Sequence, residues 1–192
     1  MAVRDMEFVI IGGGVAAAKA AEGLRAAGGE GTAVVLAAEP ELPYERPPLS
    51  KAFLRGEAGR DYVRTHDEAW YRDHEVELLL ATRASTLDPA TRTVTTEVGD
   101  QLRYGTGLVL ATGAQPVRLE LPGGDLEGVY YLRTIDDAER LRAAISRRVT
   151  RVSIWVALAA TSAPMKPPPR MTMLSALEMA ARSRSESSTV RR

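Results

Sequence analysis

The run Val9-Ile10-Ile11-Gly12-Gly13-Gly14-Val15-Ala16-Ala17 constrains this chain more than any other segment, because an apolar strand ends in a glycine turn that opens straight into small, helix-favouring residues. Such a strand, turn and helix make a phosphate cradle. Gly12 allows the tight turn, Gly14 leaves room for a pyrophosphate to approach the backbone, and Ala17 lets the helix pack closely on the strand. Bare amides at the start of the helix, around Val15 and Ala16, and the positive end of its dipole then face the phosphates.

The flanking sequence supplies the context that a glycine pattern alone lacks. Residues 16–25 are rich in helix formers, and Gly28-Gly29 supplies a stop. A second apolar strand follows at residues 32–36, and Glu39 stands just beyond its end. That acid lies 22 residues past Ala17, close to the roughly 20-residue offset at which a carboxylate accepts hydrogen bonds from an adenosine ribose. The alternative is a solvated loop acid before Pro40. Spacing does not separate NAD from FAD, because both present the same adenosine ribose and pyrophosphate to this unit.

Three further segments decide between them: Leu42-Pro43-Tyr44-Glu45-Arg46-Pro47-Pro48-Leu49-Ser50-Lys51, Leu108-Val109-Leu110-Ala111-Thr112-Gly113-Ala114, and Leu132-Arg133-Thr134-Ile135-Asp136-Asp137-Ala138. With them, residues 5–145 resemble the flavoprotein reductases of the ferredoxin, rubredoxin and putidaredoxin reductase type, within the FAD-dependent pyridine nucleotide-disulfide oxidoreductase superfamily. The Tyr-x-Arg-Pro-Pro-Leu-Ser-Lys run is the specific part of the resemblance; the Ala-Thr-Gly segment is shared with two-dinucleotide flavoproteins more widely. The resemblance implies an α/β fold: a Rossmann-like FAD-binding domain with a parallel sheet and a small antiparallel excursion, incomplete at its C-terminal side.

The same resemblance implies roles for individual residues. Arg46 offers a planar fork of donors and Lys51 a mobile point charge. Both are expected beside FAD, with Lys51 near the isoalloxazine, where a cation stabilises negative charge on the reduced ring. Pro47 and Pro48 stiffen the loop that carries them. The stretch around Thr82, Arg83 and Ala84 is expected to pass the adenine and meet it through backbone groups. Ala111, Thr112 and Gly113 are expected to form the turn that closes over the cofactor. On spacing alone these segments read equally well as a solvated loop and an ordinary strand-end turn.

Residues between the motifs are consistent with this plan. Residues 67–74 read as a short amphipathic helix, 76–80 and 92–96 as strands, and Leu108-Val109-Leu110 as a buried strand. His66 and His74 are the two histidines, and neither has a metal-ligand spacing or a neighbouring nucleophile, so both read as surface or structural residues. Cysteine is absent. A redox-active cysteine pair is therefore excluded. The resemblance then implies electrons passing from NAD(P)H through FAD to a separate ferredoxin- or rubredoxin-like carrier. A cytoplasmic protein is the expectation for a chain with no thiols and no signal peptide.

Composition divides the chain near residue 146. Residues 1–145 carry 16 Lys+Arg against 23 Asp+Glu, and residues 146–192 carry 9 against 2. All 16 glycines lie at or before Gly128, while four of the six methionines fall in the tail. The expected organisation is an FAD-binding domain, N-terminal segment, at 1–145, and an atypical basic tail at 146–192. In the family a second glycine-rich motif for NAD(P)H follows here; this chain lacks it, and likeness stops at Trp155, as a shift of reading frame would produce.

The apolar run 154–160 is far shorter than the roughly 20 residues that span a bilayer, and arginines scattered among serines favour disorder over a nucleic-acid surface. No membrane or nucleic-acid partner is expected. Three function classes remain: the oxidoreductase, with turnover impaired by the missing NAD domain; a non-catalytic flavin- or nucleotide-binding remnant; and an interaction protein acting through the basic tail. Loss of the family's closing strand and interface domain would leave an exposed sheet edge and apolar face.

Overall fold

The computed structural model describes residues 3–116, 118, 122 and 124–146. The basic tail, with its proline run and the expected frame break, lies outside these residues. Of the described residues, 3–116 and 130–142 make one compact unit; the others belong to a second, which includes a turn closed by the Val129 amide on the Leu126 carbonyl at 3.2 Å.

The first unit is built on one sheet with six described strands: β1 (Val3–Ile11), β2 (Ala33–Leu36), β3 (Val76–Leu79), β4 (Ala84–Asp88), β5 (Thr93–Thr96) and β6 (Gln101–Leu110). Their order is β3-β2-β1-β6-β5-β4. The first four run parallel, and β5 and β4 continue the sheet antiparallel. This is a Rossmann-like fold with a mixed sheet. The helices are α1 (Val15–Ala26), α2 (Arg60–Val63), α3 (Glu68–Asp73) and α4 (Ile135–Ser146), with a 3₁₀ turn at Pro47–Ser50.

The period of two in a strand explains why β1 and β2 read as unbroken apolar runs. Val9, Ile11, Val34 and Leu36 point to one face and meet Val94 and Leu102. Ile10, Ala33 and Val35 point to the other and meet Ala17, Ala21, Tyr71 and Val76. Both faces are covered, as parallel strands require. The small residues Ala17, Ala18 and Ala21 are fully buried, which brings α1 close to the sheet. Each Val, Leu or Ile so buried contributes about 1.5–3 kcal/mol; for the four-residue β2 this outweighs strand propensity.

Helix α1 ends as expected at its glycines. Gly28 has φ +76 and donates to the Arg25 carbonyl at 3.0 Å, and Gly29 donates to Leu24 at 2.9 Å. Arg25 then staples this end to its surroundings. Its Nε donates to the His74 carbonyl at 2.8 Å, and its terminal nitrogens donate to the carbonyls of Gly29, Gly31 and Glu75 at 2.6, 3.0 and 2.9 Å. Nearby, His66 and His74 stack on Trp70 with centroids 4.1 and 4.2 Å away, and His66 Nε2 lies 3.0 Å from Glu22. Both histidines are packing residues.

A third cluster, Tyr44, Leu49, Phe53, Val63, Ile135 and Ala138, seats the 44–63 loop against α4. Arg60 reinforces the seat, pairing bidentately with Glu139 at 3.1 and 2.8 Å and also with Glu41. The start of α4 is set by a reciprocal cap. The Thr134 hydroxyl accepts from the Asp137 amide at 3.1 Å, and the Asp137 carboxylate accepts from the amides of Thr134 and Arg133 at 2.9 and 3.1 Å.

Three features differ from the sequence reading. β1 and β6 begin earlier, at Val3 and Gln101, because their polar residues alternate with buried ones such as Met6 and Leu102. Strand β4, which carries one strongly apolar residue, Leu87, was not expected. The segment Leu108-Val109-Leu110 is a strand but not a buried one: Val109 is 41% and Leu110 63% exposed. Its apolarity reads as core, yet β5 pairs only with Gln101–Arg103. Among the described residues, β1 alone pairs with the upper half of β6.

Candidate dinucleotide site

The site lies where β1, β2 and β6 end together. Gly12 leaves β1 at φ +144, and its amide donates to Leu36 at the end of β2, 2.9 Å away. A Cβ placed on Gly12 would stand 2.1 Å from the Ala111 carbonyl oxygen. The Ala111 amide in turn donates to Ile11 at 2.8 Å. Gly12 and the turn after β6 are therefore in direct backbone contact, which only glycine permits. A Cβ on Gly13 would stand 2.9 Å from that of Ala37.

Gly14 is different. It is the N-cap of α1 at φ −107, and nothing lies within 4 Å of the position its Cβ would take. Gly14 brings no side-chain cap, and the first turn carries no acid. An α-helix leaves its first amides without intrahelical partners. Val15 and Ala16 are exposed while Ala17 and Ala18 are buried, so the helix presents an open, positively polarised start.

The acid beyond β2 is held rather than solvated. Glu39 Oε2 accepts from the Tyr44 hydroxyl at 2.5 Å and Oε1 from Arg46 at 2.6 Å. Arg46 also donates to the Tyr44 oxygen at 2.8 Å and to the Arg133 carbonyl at 2.6 Å. Tyr44 is 1% exposed. Burial, and then the Glu39 acceptor, push its phenol well above its ordinary pKa, with Arg46 opposing in part. It is thus a neutral, permanent donor. Its backbone forms a bridge with Gly14 and another with Arg64.

Other expected residues are distributed around this frame. The Ala81 amide donates to the Glu39 carbonyl at 3.0 Å and Thr82 to Ala37 at 2.8 Å. Ala84, two residues on, pairs with Thr96 in the sheet, and no hydrogen bond joins it to Glu39. Thr112 is exposed and Gly113 has φ +69. Lys51 follows the Pro47–Ser50 turn; its amide donates to Pro48 at 2.9 Å and its exposed side chain has no partner among the described residues.

Two residues given no role by the sequence reading stand in the frame. Tyr44 is one. The other is Arg133, whose terminal nitrogen lies 3.3 Å from where a Gly113 Cβ would be and whose Nε is buried with no hydrogen-bond partner among the described residues. The signal for Arg133 was the Thr-x-x-Asp cap that follows it, which fixes its position relative to α4. For Tyr44 it was the spacing of a phenol two residues before Arg46.

A family model for the pyridine nucleotide-disulphide oxidoreductases matches residues 6–155. The chain belongs to this family. Within it, the chain is of the ferredoxin/rubredoxin reductase type. It is 39% identical to rubredoxin-NAD(+) reductase of Pseudomonas putida, over 71% of this chain and 35% of that protein. It is 40% identical to peroxisomal monodehydroascorbate reductase 4 of Arabidopsis thaliana, over 74% of this chain and 32% of that one. Among solved structures, the ferredoxin reductase for the CYP199A2 system from Rhodopseudomonas palustris superposes with a TM-score of 0.68 at 36% identity, covering 73% of this chain and 34% of that chain. This reductase-type chain thus spans about a third of the length of these relatives. Among its described residues, no helix is long and apolar enough to cross a membrane.

Proposed function

We propose that residues 1–145 are the FAD-binding portion of an NAD(P)H-dependent reductase that serves a ferredoxin- or rubredoxin-like carrier. The observation that carries this reading is the open start of α1 at Gly14, in a frame whose other arm is the clamped carboxylate of Glu39. The residues fit a dinucleotide: empty space stands where a side chain would be at Gly14, and the buried Arg133 Nε has no partner among the described residues. FAD supplies, when bound, an acceptor for a hydride and a donor of single electrons.

This chain's residues then bind and orient. Gly12 shapes the turn, and Gly14, Val15 and Ala16 offer backbone amides to the pyrophosphate. Glu39 accepts from the adenosine ribose, and Arg46 balances its charge so that the carboxylate does not repel the phosphates. The backbone near Ala84 borders the adenine; Ala111, Thr112 and Gly113 close over the cofactor. Lys51, a cation with no partner among the described residues, supports negative charge on the flavin.

A second reading, nucleotide binding without turnover, is favoured by one sequence observation: all 16 glycines of these 192 residues lie at or before Gly128, and the strand, glycine turn and helix that they build is the cradle at Gly12–Gly14. One experiment separates the two. The purified 192-residue protein is mixed with FAD, and its absorption spectrum is followed under anaerobic addition of NADH or NADPH. Bound flavin that bleaches supports the reductase; bound flavin that does not bleach supports the second reading. Failure to bind flavin in a soluble, folded protein refutes both.

A further inference from the structure

Tyr44 touches both arms of the candidate site. Its backbone pairs with Gly14, at the phosphate end, and its hydroxyl binds Glu39, at the ribose end. The geometry points to Tyr44 as a positioning residue for Glu39, one that fixes the carboxylate so that adenosine ribose hydroxyls meet preset acceptors. This rests on the flavin-binding reading and adds to it a residue that touches no part of the cofactor.

An unrestrained glutamate side chain samples several rotamers, and each must be given up when a ligand binds. Glu39 starts with both carboxylate oxygens engaged, one by a phenol and one by a guanidinium. Each carboxylate oxygen accepts more than one hydrogen bond, so acceptor sites remain for the ribose. Tyr44 is suited to hold the group: it is buried in the cluster with Leu49, Phe53, Val63, Ile135 and Ala138, and its ring has few rotamers to lose. The two clamps are also linked, because Arg46 donates to the Tyr44 oxygen. Removing the phenol hydroxyl therefore loosens both contacts to Glu39 while leaving the apolar ring in its seat.

The test measures binding by the quenching of flavin fluorescence, using FAD and an FAD analogue whose adenosine ribose is 2′,3′-dideoxy. Wild-type protein is expected to prefer FAD. Tyr44→Phe should weaken FAD binding about tenfold, the scale of a lost hydrogen bond to a charged group, while affinity for the dideoxy analogue changes less than about twofold. In a Glu39→Gln background, the same change should have little further effect on FAD, since the two residues act through one contact.

Equal weakening toward both flavins would mean that Tyr44 only supports the fold, and would overturn the inference. So would FAD affinity unchanged in Tyr44→Phe. Wild-type protein that binds FAD without preference over the analogue refutes the ribose role of Glu39, and no FAD binding at all refutes the flavin reading itself. A thermal melt of Tyr44→Phe within a few degrees of wild type establishes that the comparison is made on folded protein.

Discussion

Two glycines two positions apart in the same turn, Gly12 and Gly14, should answer the same substitution in opposite ways. Gly12 sits at φ +144, and an added Cβ would lie 2.1 Å from the Ala111 oxygen and 2.6 Å from the Ala111 carbonyl carbon. Neither atom is the end of a flexible side chain. A glycine-only backbone angle costs a side chain about 1–3 kcal/mol, and forcing β1 and β6 apart adds about 1–3 kcal/mol of overpacking. Gly12→Ala is therefore expected to lose about 2–6 kcal/mol, a large share of the roughly 5–15 kcal/mol that holds a domain. Its melting temperature should fall by about 2–4 °C for each of those kcal/mol.

Gly14→Ala meets no atom within 4 Å at an ordinary φ of −107. Its stability should stay within about 1 kcal/mol of wild type, with a gain from reduced freedom of the unfolded chain. On the proposed reading its FAD affinity should nevertheless drop by at least about tenfold, because the new methyl would stand where a pyrophosphate approaches. Urea unfolding followed by circular dichroism gives the stabilities, and flavin fluorescence gives the affinities. Gly12→Ala as stable as wild type would refute the contact with Ala111. Gly14→Ala that binds FAD normally would refute the placement of the phosphates.

Three further outcomes follow from contacts elsewhere. Arg25→Ala should cost about 1–3 kcal/mol, since four backbone carbonyls lose a charged donor; Arg25→Lys should recover less than half in urea titrations, because one ammonium cannot reproduce the fork. Burial opposes ionisation of Asp137, but hydrogen bonds from Thr134, Arg140 and Arg133 outweigh it and hold its pKa below the ordinary range; Arg60 does the same for Glu139. Depressed carboxylates stabilise the fold fully above their unfolded values near pH ~4 and cease to as pH falls through the folded ones, so acid unfolding of Asp137→Asn should show a shallower slope below pH ~4 than wild type. Lys51→Gln should leave the melting temperature within about 2 °C, and, if FAD binds, make its reduction potential more negative in spectroelectrochemical titration.

The cradle was legible because steric demands leave few residue choices there. A strand covered on both faces must be apolar throughout, as Val9, Ile10 and Ile11 are, and a turn that presses on Ala111 must be glycine. The acid at Glu39 was found by its distance from the turn. What escaped notice depends on partners remote in sequence. Nothing local shows that the Arg46 fork closes on Glu39 and Tyr44 within the protein, or that Arg133 arrives beside Gly113. The Leu108-Val109-Leu110 strand misled for the same reason: apolar side chains state a preference for burial, and what lies over them is settled by other parts of the molecule.

The pairing of β1 with β6 has a kinetic consequence. Ile11 lies beside Leu110 and Gly12 beside Ala111, so the cradle is closed by segments from opposite ends of the sheet-forming sequence. Such non-local pairings carry a loop-closure cost before they yield any contact, and chains dominated by them fold slowly. The β1-α1-β2 crossover joins neighbouring segments and can assemble early, but the floor under Gly12 is laid only when β6 arrives. On the proposed reading, competence to hold a dinucleotide is then a late event in folding, and the rate at which newly synthesised or refolding chains acquire it is set by docking of β6.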